Sequence, residues 1–225
     1  GVPIIGTSHI IFLEMGGAQL FKPDSKLYRI MEFIGNFCLL NILWIICSLP
    51  LITIFASTTA MYGVIRDWSK NDDPAIIKTF FLNFKKYFMK SLIIGILQSL
   101  IMIILVSDFL FVWNMDGTLK YILFPLFIII GLFFLFISSY LYPLVVDDDR
   151  SLKQLIKQSV YLAVTRPAYP TMVLLFASIA VLICTYIHVL PILFAFSITG
   201  LIHYQIIQRA LGKKDNTSIR VWKGV

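Results

Sequence analysis

Four long stretches of this chain carry no formal charge: Phe33 to Ile65, Ser91 to Ser107, Tyr121 to Val146 and Pro167 to Gln208. An apolar run of about 18 or more residues can cross the roughly 30 Å hydrocarbon layer as a helix. The composition points the same way. Hydrophobic residues make up 59% and charged residues 14% of the 225, against about 45–50% and about 25% in soluble domains. A soluble globular domain is thereby excluded, and lipid is the solvent this chain is built for.

Length limits how the runs are used. At about 1.5 Å per residue, Phe33 to Ile65 would form a helix of about 50 Å, more than one crossing needs. Ser48-Leu49-Pro50 supplies the break, because proline lacks a backbone donor and biases the residue before it away from helix. This predicts a first span over Tyr28 to Leu49 and a shorter segment, Leu51 to Ile65. Its Thr53, Ser57, Thr58, Thr59 and Gly63 suit close helix packing, so it is either a short protein-buried crossing or an interfacial helix. The run from Pro167 to Gln208 would span about 63 Å and must also turn. His188-Val189-Leu190-Pro191 is the place, with spans over Thr171 to Ile187 and Pro191 to Gln208. Between these pairs, Ser91 to Trp113 and Leu119 to Val146 form a hairpin around Asn114-Met115-Asp116-Gly117-Thr118, whose Asp-Gly is a turn signal. The expected fold class is all-α: a polytopic helical membrane protein of three helical hairpins and five to six membrane segments. Residues 1–14 are read as upstream or cloning-derived, with Met15 a natural start and 15–225 a single integral membrane domain.

Orientation follows from lysine and arginine, which stay on the cytoplasmic side. Six crossings with both termini inside leave only Lys120 outside. Five crossings with the N-terminus outside would leave Lys22, Lys26 and Arg29 there as well. Both arrangements put the C-terminus in the cytoplasm of a cell-membrane protein. Two cytoplasmic amphipathic connector helices are expected. In the first, Ile77, Phe80, Phe81, Phe84, Tyr87 and Phe88 recur at helical spacing, with Lys78, Lys85, Lys86 and Lys90 mostly on the other flank. Such a helix should lie in the inner interface against anionic headgroups, or offer a docking face to a partner. Leu152, Leu155, Ile156, Val160, Ala163 and Val164 repeat the pattern more weakly.

Polar groups inside the apolar runs are the candidate sites. Asp108 lies about 9 Å from the outer end of its helix, and an intramembrane carboxylate is a functional hypothesis by default. Near the interface, water or a neighbouring helix can also satisfy it. Asn41 and Gln98 can hydrogen-bond between helices, as structural glue or as ligand contacts; Asn36 is a third such residue. His203 and His188 are each read as a single satisfied polar group. Asp72-Asp73-Pro74 and Asp147-Asp148-Asp149 precede the two amphipathic helices and are read as caps on their dipoles. Three adjacent acids could also bind a divalent cation, but consecutive helical residues point different ways, so no metal site is assigned. Cys38, Cys47 and Cys184 lack metal-binding or disulfide spacing and are read as packing residues. G-x-S-x-G, HExxH and Walker motifs are absent. The expectation is a non-enzyme with no cofactor, no nucleic-acid partner and no ATP-driven work of its own.

Particular blocks carry a family resemblance. Leu20-Phe21-Lys22-Pro23-Asp24-Ser25-Lys26, Asn41-Ile42-Leu43-Trp44, Ser48-Leu49-Pro50-Leu51-Ile52-Thr53-Ile54 and Ala56-Ser57-Thr58-Thr59-Ala60-Met61-Tyr62 resemble the YesL family of bacterial integral membrane proteins. Asp108, the Asn114-to-Thr118 turn and Tyr140-Leu141-Tyr142-Pro143 agree. Where such proteins often carry Gly after Thr-Ile, this chain has Phe55. The family is defined by a domain of unknown function without assigned site residues, so none is carried over. Its members are often encoded beside carbohydrate uptake and degradation systems. The resemblance therefore implies an accessory or regulatory role in sugar import, with sugar ABC transporter subunits or a second copy of the chain as partners. The alternative is a small transporter or channel-like protein with Asp108 on the path.

Overall fold

The structure, a computed structural model, describes residues 26–70, 75–147, 150–186 and 192–212, and every regular element among them is helical. Helix α1 (Lys26–Ser48) stops short of Pro50, and a single 3-10 turn (Leu51–Thr53) leads into α2 (Ile54–Ser69). The break falls where proline requires it. The Thr53 hydroxyl closes the turn, donating toward the carbonyls of Cys47 at 2.6 Å and Pro50 at 2.7 Å. The chain then forms α3 (Ile76–Trp113), α4 (Leu119–Asp147), α5 (Leu152–Thr165), α6 (Ala168–Tyr186) and α7 (Ile192–Ala210).

Helix α2 lies antiparallel on the first half of α3, in a ladder that small residues make possible. The Phe55 ring occupies the space over Gly95, where a Cβ would fall 2.0 Å from the ring's Cγ. One turn on, Ser91 Oγ donates to Thr59 Oγ1 at 2.7 Å. Gly63 then faces Asn83, whose Cγ would lie 2.5 Å from an added Cβ. Finally Arg66 Nη1 donates to the Tyr87 hydroxyl at 3.2 Å. Helix α1 is antiparallel to α2 in turn. Trp44 Nε1 donates to Thr58 Oγ1 at 3.2 Å, and Phe37 stacks on Trp68 with centroids 5.2 Å apart. The segment from Leu51 to Ile65 is thus protein-buried over most of α2, with Ala56, Ser57, Thr59, Ala60, Val64 and Ile65 all buried.

One element departs from expectation. The charge boundary at Lys90 predicts a separate connector lying in the interface, but α3 runs unbroken from Ile76 to Trp113. Nothing between Lys90 and Ser91 breaks a helix; only the preferred solvent changes there. Phe80 and Tyr87, expected on a lipid-facing side, are buried against the other helices. The second connector, α5, is a separate helix set at 90° to Ala168–Ile179. Its cap also differs from the aspartates expected. Ser151 is the N-cap, and Gln154 Oε1 accepts the Ser151 N–H at 3.3 Å, the reciprocal arm of a capping box. Ser151-Leu152-Lys153-Gln154 has the S-x-x-Q spacing of that motif. Asp72, Asp73, Asp148, Asp149 and the turn at His188 lie outside the described residues.

The α3–α4 hairpin closes as the Asp-Gly pair predicts, with Gly117 at φ 107°. Phe109 and Trp113 pack on Phe124 with centroids 5.2 and 5.7 Å apart. Lys120 Nζ donates to the Trp113 carbonyl at 2.5 Å. Beyond these contacts the half of the hairpin nearest the turn is bare, with Ile103, Ile104, Ile122 and Ile129 exposed. The core gathers at the opposite end, around Leu40, Ile65, Phe80, Tyr140, Val145, Leu155 and Ile207. Among the described residues, α3 and α4 are each long and apolar enough to cross a membrane. The bent pair of α5 and the first part of α6 makes a third candidate.

Candidate functional site

Polar side chains converge where α2, α3, α4 and α7 meet, at the end of the molecule away from the α3–α4 turn. His203 joins three of these helices. Its Nε2 lies 2.9 Å from the Ser139 carbonyl oxygen and 3.0 Å from Ser139 Oγ, and its Nδ1 lies 2.5 Å from the Tyr62 hydroxyl. A carbonyl oxygen can only accept, so Nε2 carries the proton, and the neutral ring then accepts from Tyr62 at Nδ1. Both nitrogens are committed, which matches the reading of His203 as a satisfied group.

Next along α7, Tyr204 donates to Asp147 Oδ1 at 2.6 Å, and Gln208 Nε2 donates to Oδ2 of the same carboxylate. Asp147 is the last residue of α4 and joins α7 to it; it does not cap α5. Arg66 completes the cluster. Besides Tyr87 it donates to the Val146 carbonyl and pairs with Asp67 at 2.8 Å. Burial works against the Arg66 charge, but hydrogen bonds to Asp67 and Tyr87 and their fields more than offset it, holding the guanidinium above its usual range. Hydrogen bonds to charged groups contribute about 1.5–3 kcal/mol each, so this cluster is a stiff joint among four helices.

The residues singled out from sequence are distributed along the molecule and do not meet. Asn41 is fully buried on α1; its Nδ2 donates to the Phe37 carbonyl at 3.3 Å and its Oδ1 accepts the Ser197 N–H of α7 at 3.1 Å. Gln98 Oε1 accepts the Tyr142 hydroxyl at 2.6 Å, joining α3 to α4. Both residues bridge helices. Asp108 sits about 15 Å further along α3 than Gln98, partly buried on the hairpin. Lys78, Lys85 and Lys86 are exposed on the first half of α3, Lys86 lying 4.9 Å from the Tyr87 ring centroid; Lys90 donates to the Arg150 carbonyl at 3.3 Å.

The comparisons with known proteins concern the same helices. A family model described as "Protein of unknown function, DUF624" matches residues 37–109, the stretch that builds the α1–α2–α3 ladder. The chain is 31% identical over 159 residues to the uncharacterized protein YesL of Bacillus subtilis (strain 168), covering 69% of this chain and 74% of that protein. The chain belongs to the YesL family. YteU of the same organism is 26% identical over 194 residues (84% of this chain, 87% of YteU), and YesV is 28% identical over 145 residues (63% and 70%). No solved structure matches. In this YesL-family chain Phe55, the departure noted in the sequence, is accommodated by Gly95 opposite it.

Proposed function

We propose that this chain is a non-enzymatic accessory subunit of a bacterial carbohydrate uptake system. It would bind a transporter partner through the inner part of α3. The supporting observation is the reach of that helix. Trp and Tyr favour the membrane interface, so Trp113 and Tyr121 mark the outer boundary. About 30 Å inward lie Ile93 on α3 and Leu141 on α4. Helix α3 continues about 24 Å past Ile93 to Ile77, beyond the depth of the headgroups. There Ile77 and Phe81 are 52% and 50% exposed, beside the exposed Lys78 and Lys85. An apolar stripe edged by cations and held off the bilayer suits a protein groove with acidic margins. The carbohydrate part of the proposal rests on the genomic company of the YesL family.

The test is affinity purification of the full chain from native membranes. Sugar ABC transporter subunits should co-purify, and Lys78→Glu/Lys85→Glu should abolish their recovery while leaving the amount of folded chain unchanged. Recovery unaffected by that pair sinks the proposal. A second reading, transport by an oligomer with Asp108 on the path, draws support from this partly buried carboxylate within an apolar helix, which has no side-chain hydrogen bond among the described residues. Solute flux into proteoliposomes that is lost on Asp108→Asn would favour it.

A further inference from the structure

We infer that the α1–α2 hairpin enters the bilayer from the inner side and turns back within it, its tip seated among the acyl chains of the inner leaflet. The ladder fixes the depth. Phe55 lies against Gly95 and Arg66 against Tyr87, so α2 is antiparallel to the inner part of α3 and covers none of its outer part. One turn beyond Phe55, the tip stands near the level of Ser99, about 20 Å short of Trp113. Both hairpin ends, carrying Arg29 and Arg66, then lie on the same side as Lys78 and Lys85, as the charge distribution requires.

The tip has the chemistry of a lipid-facing turn. Leu49, Leu51 and Ile52 are 76%, 81% and 67% exposed, and no charged residue lies between Glu32 and Arg66. Irregular backbone in hydrocarbon must satisfy its own polar groups. Here the Thr53 hydroxyl reaches the Cys47 and Pro50 carbonyls, and the Thr53 N–H donates to Pro50 at 2.8 Å. The α3–α4 turn has a different composition: Asn114, Asp116, Thr118 and Lys120 are polar. Three exposed aliphatic side chains at mid-leaflet depth fit acyl chains.

Cysteine accessibility tests this directly. With Cys38, Cys47 and Cys184 replaced by alanine, single Leu51→Cys, Thr118→Cys and Lys70→Cys variants of the full chain are treated with a membrane-impermeant maleimide on intact cells and on inside-out vesicles. Thr118→Cys should label only from outside and Lys70→Cys only in inside-out vesicles. Leu51→Cys should label from neither side until detergent is added. In parallel, Leu51→Trp in vesicles of lipid brominated at mid-chain should lose most of its fluorescence. Labelling of Leu51→Cys from outside means that the hairpin crosses, and labelling in inside-out vesicles means that the tip is in water. Protection without bromine quenching means that protein covers the tip. Each of these overturns the inference. If Leu51 variants fail to accumulate, the exposed Ile52 serves in the same pair of experiments.

Discussion

Glycine 95 and phenylalanine 55 show how one side chain dictates another across two helices. A methyl group at Gly95 would penetrate the Phe55 ring, and overpacking of this kind costs about 1–3 kcal/mol. Gly95→Ala should lower the thermal midpoint in detergent, and adding Phe55→Ala should recover part of the loss; equal losses with and without Phe55 would contradict the contact. Tyr62→Phe removes the donor to His203 Nδ1 from a buried site, so it should destabilise by about 1–3 kcal/mol. A Tyr62→Phe protein with the parental midpoint would show that this hydrogen bond is dispensable. Neither pair was legible in the sequence. Phe55 looked only like a departure from a pattern, and Tyr62 and His203 are 141 positions apart, so no local spacing brings them together. What sequence does convey at this scale is residue type. It flagged Asn41 and Gln98 as interhelical hydrogen-bonders, and each bridges two helices.

At the level of elements, breaks caused by backbone chemistry were readable and boundaries of solvent were misleading. Pro50 and the positive-φ Gly117 mark breaks between helices through local backbone geometry. The loss of charge after Lys90 marks where water gives way to lipid, and a helix can pass that border without bending. Collinearity of α3 is therefore the property to measure. Spin labels at Lys85→Cys and Ser107→Cys, both exposed positions, should lie about 33 Å apart along a continuous helix. A connector folded into the membrane plane would give a markedly shorter distance. The inner cluster also explains why α7 matters to elements it never touches in sequence. Asp147 ties the end of α4 to Tyr204 and Gln208. Asp147→Asn should therefore loosen α7, seen as faster amide exchange over its last two turns, while leaving the outer α3–α4 turn unchanged.

For the molecule as a whole, the sequence conveyed the solvent and the helical class, and it left the depth of each hairpin open. Length alone could not separate a short protein-buried crossing from an interfacial helix at Leu51 to Ile65, and what the structure adds is the part of α3 that this segment lies against. The buried core and its polar joint lie at the end away from the α3–α4 turn, which the proposed topology makes the inner end, and the bare part of the α3–α4 pair extends from it. A phosphatase fusion after Val225 should accordingly be inactive and one inserted at Thr118 active; the reverse pattern would invert the molecule.

That outer turn has a bearing on biogenesis. Its Asp116 and Lys120 cancel in charge, and Lys120 is already bonded to the last carbonyl of α3. In the proposed orientation this turn is the end that crosses, and an end without net charge is translocated more readily than one carrying lysines, such as those at the far end of α3.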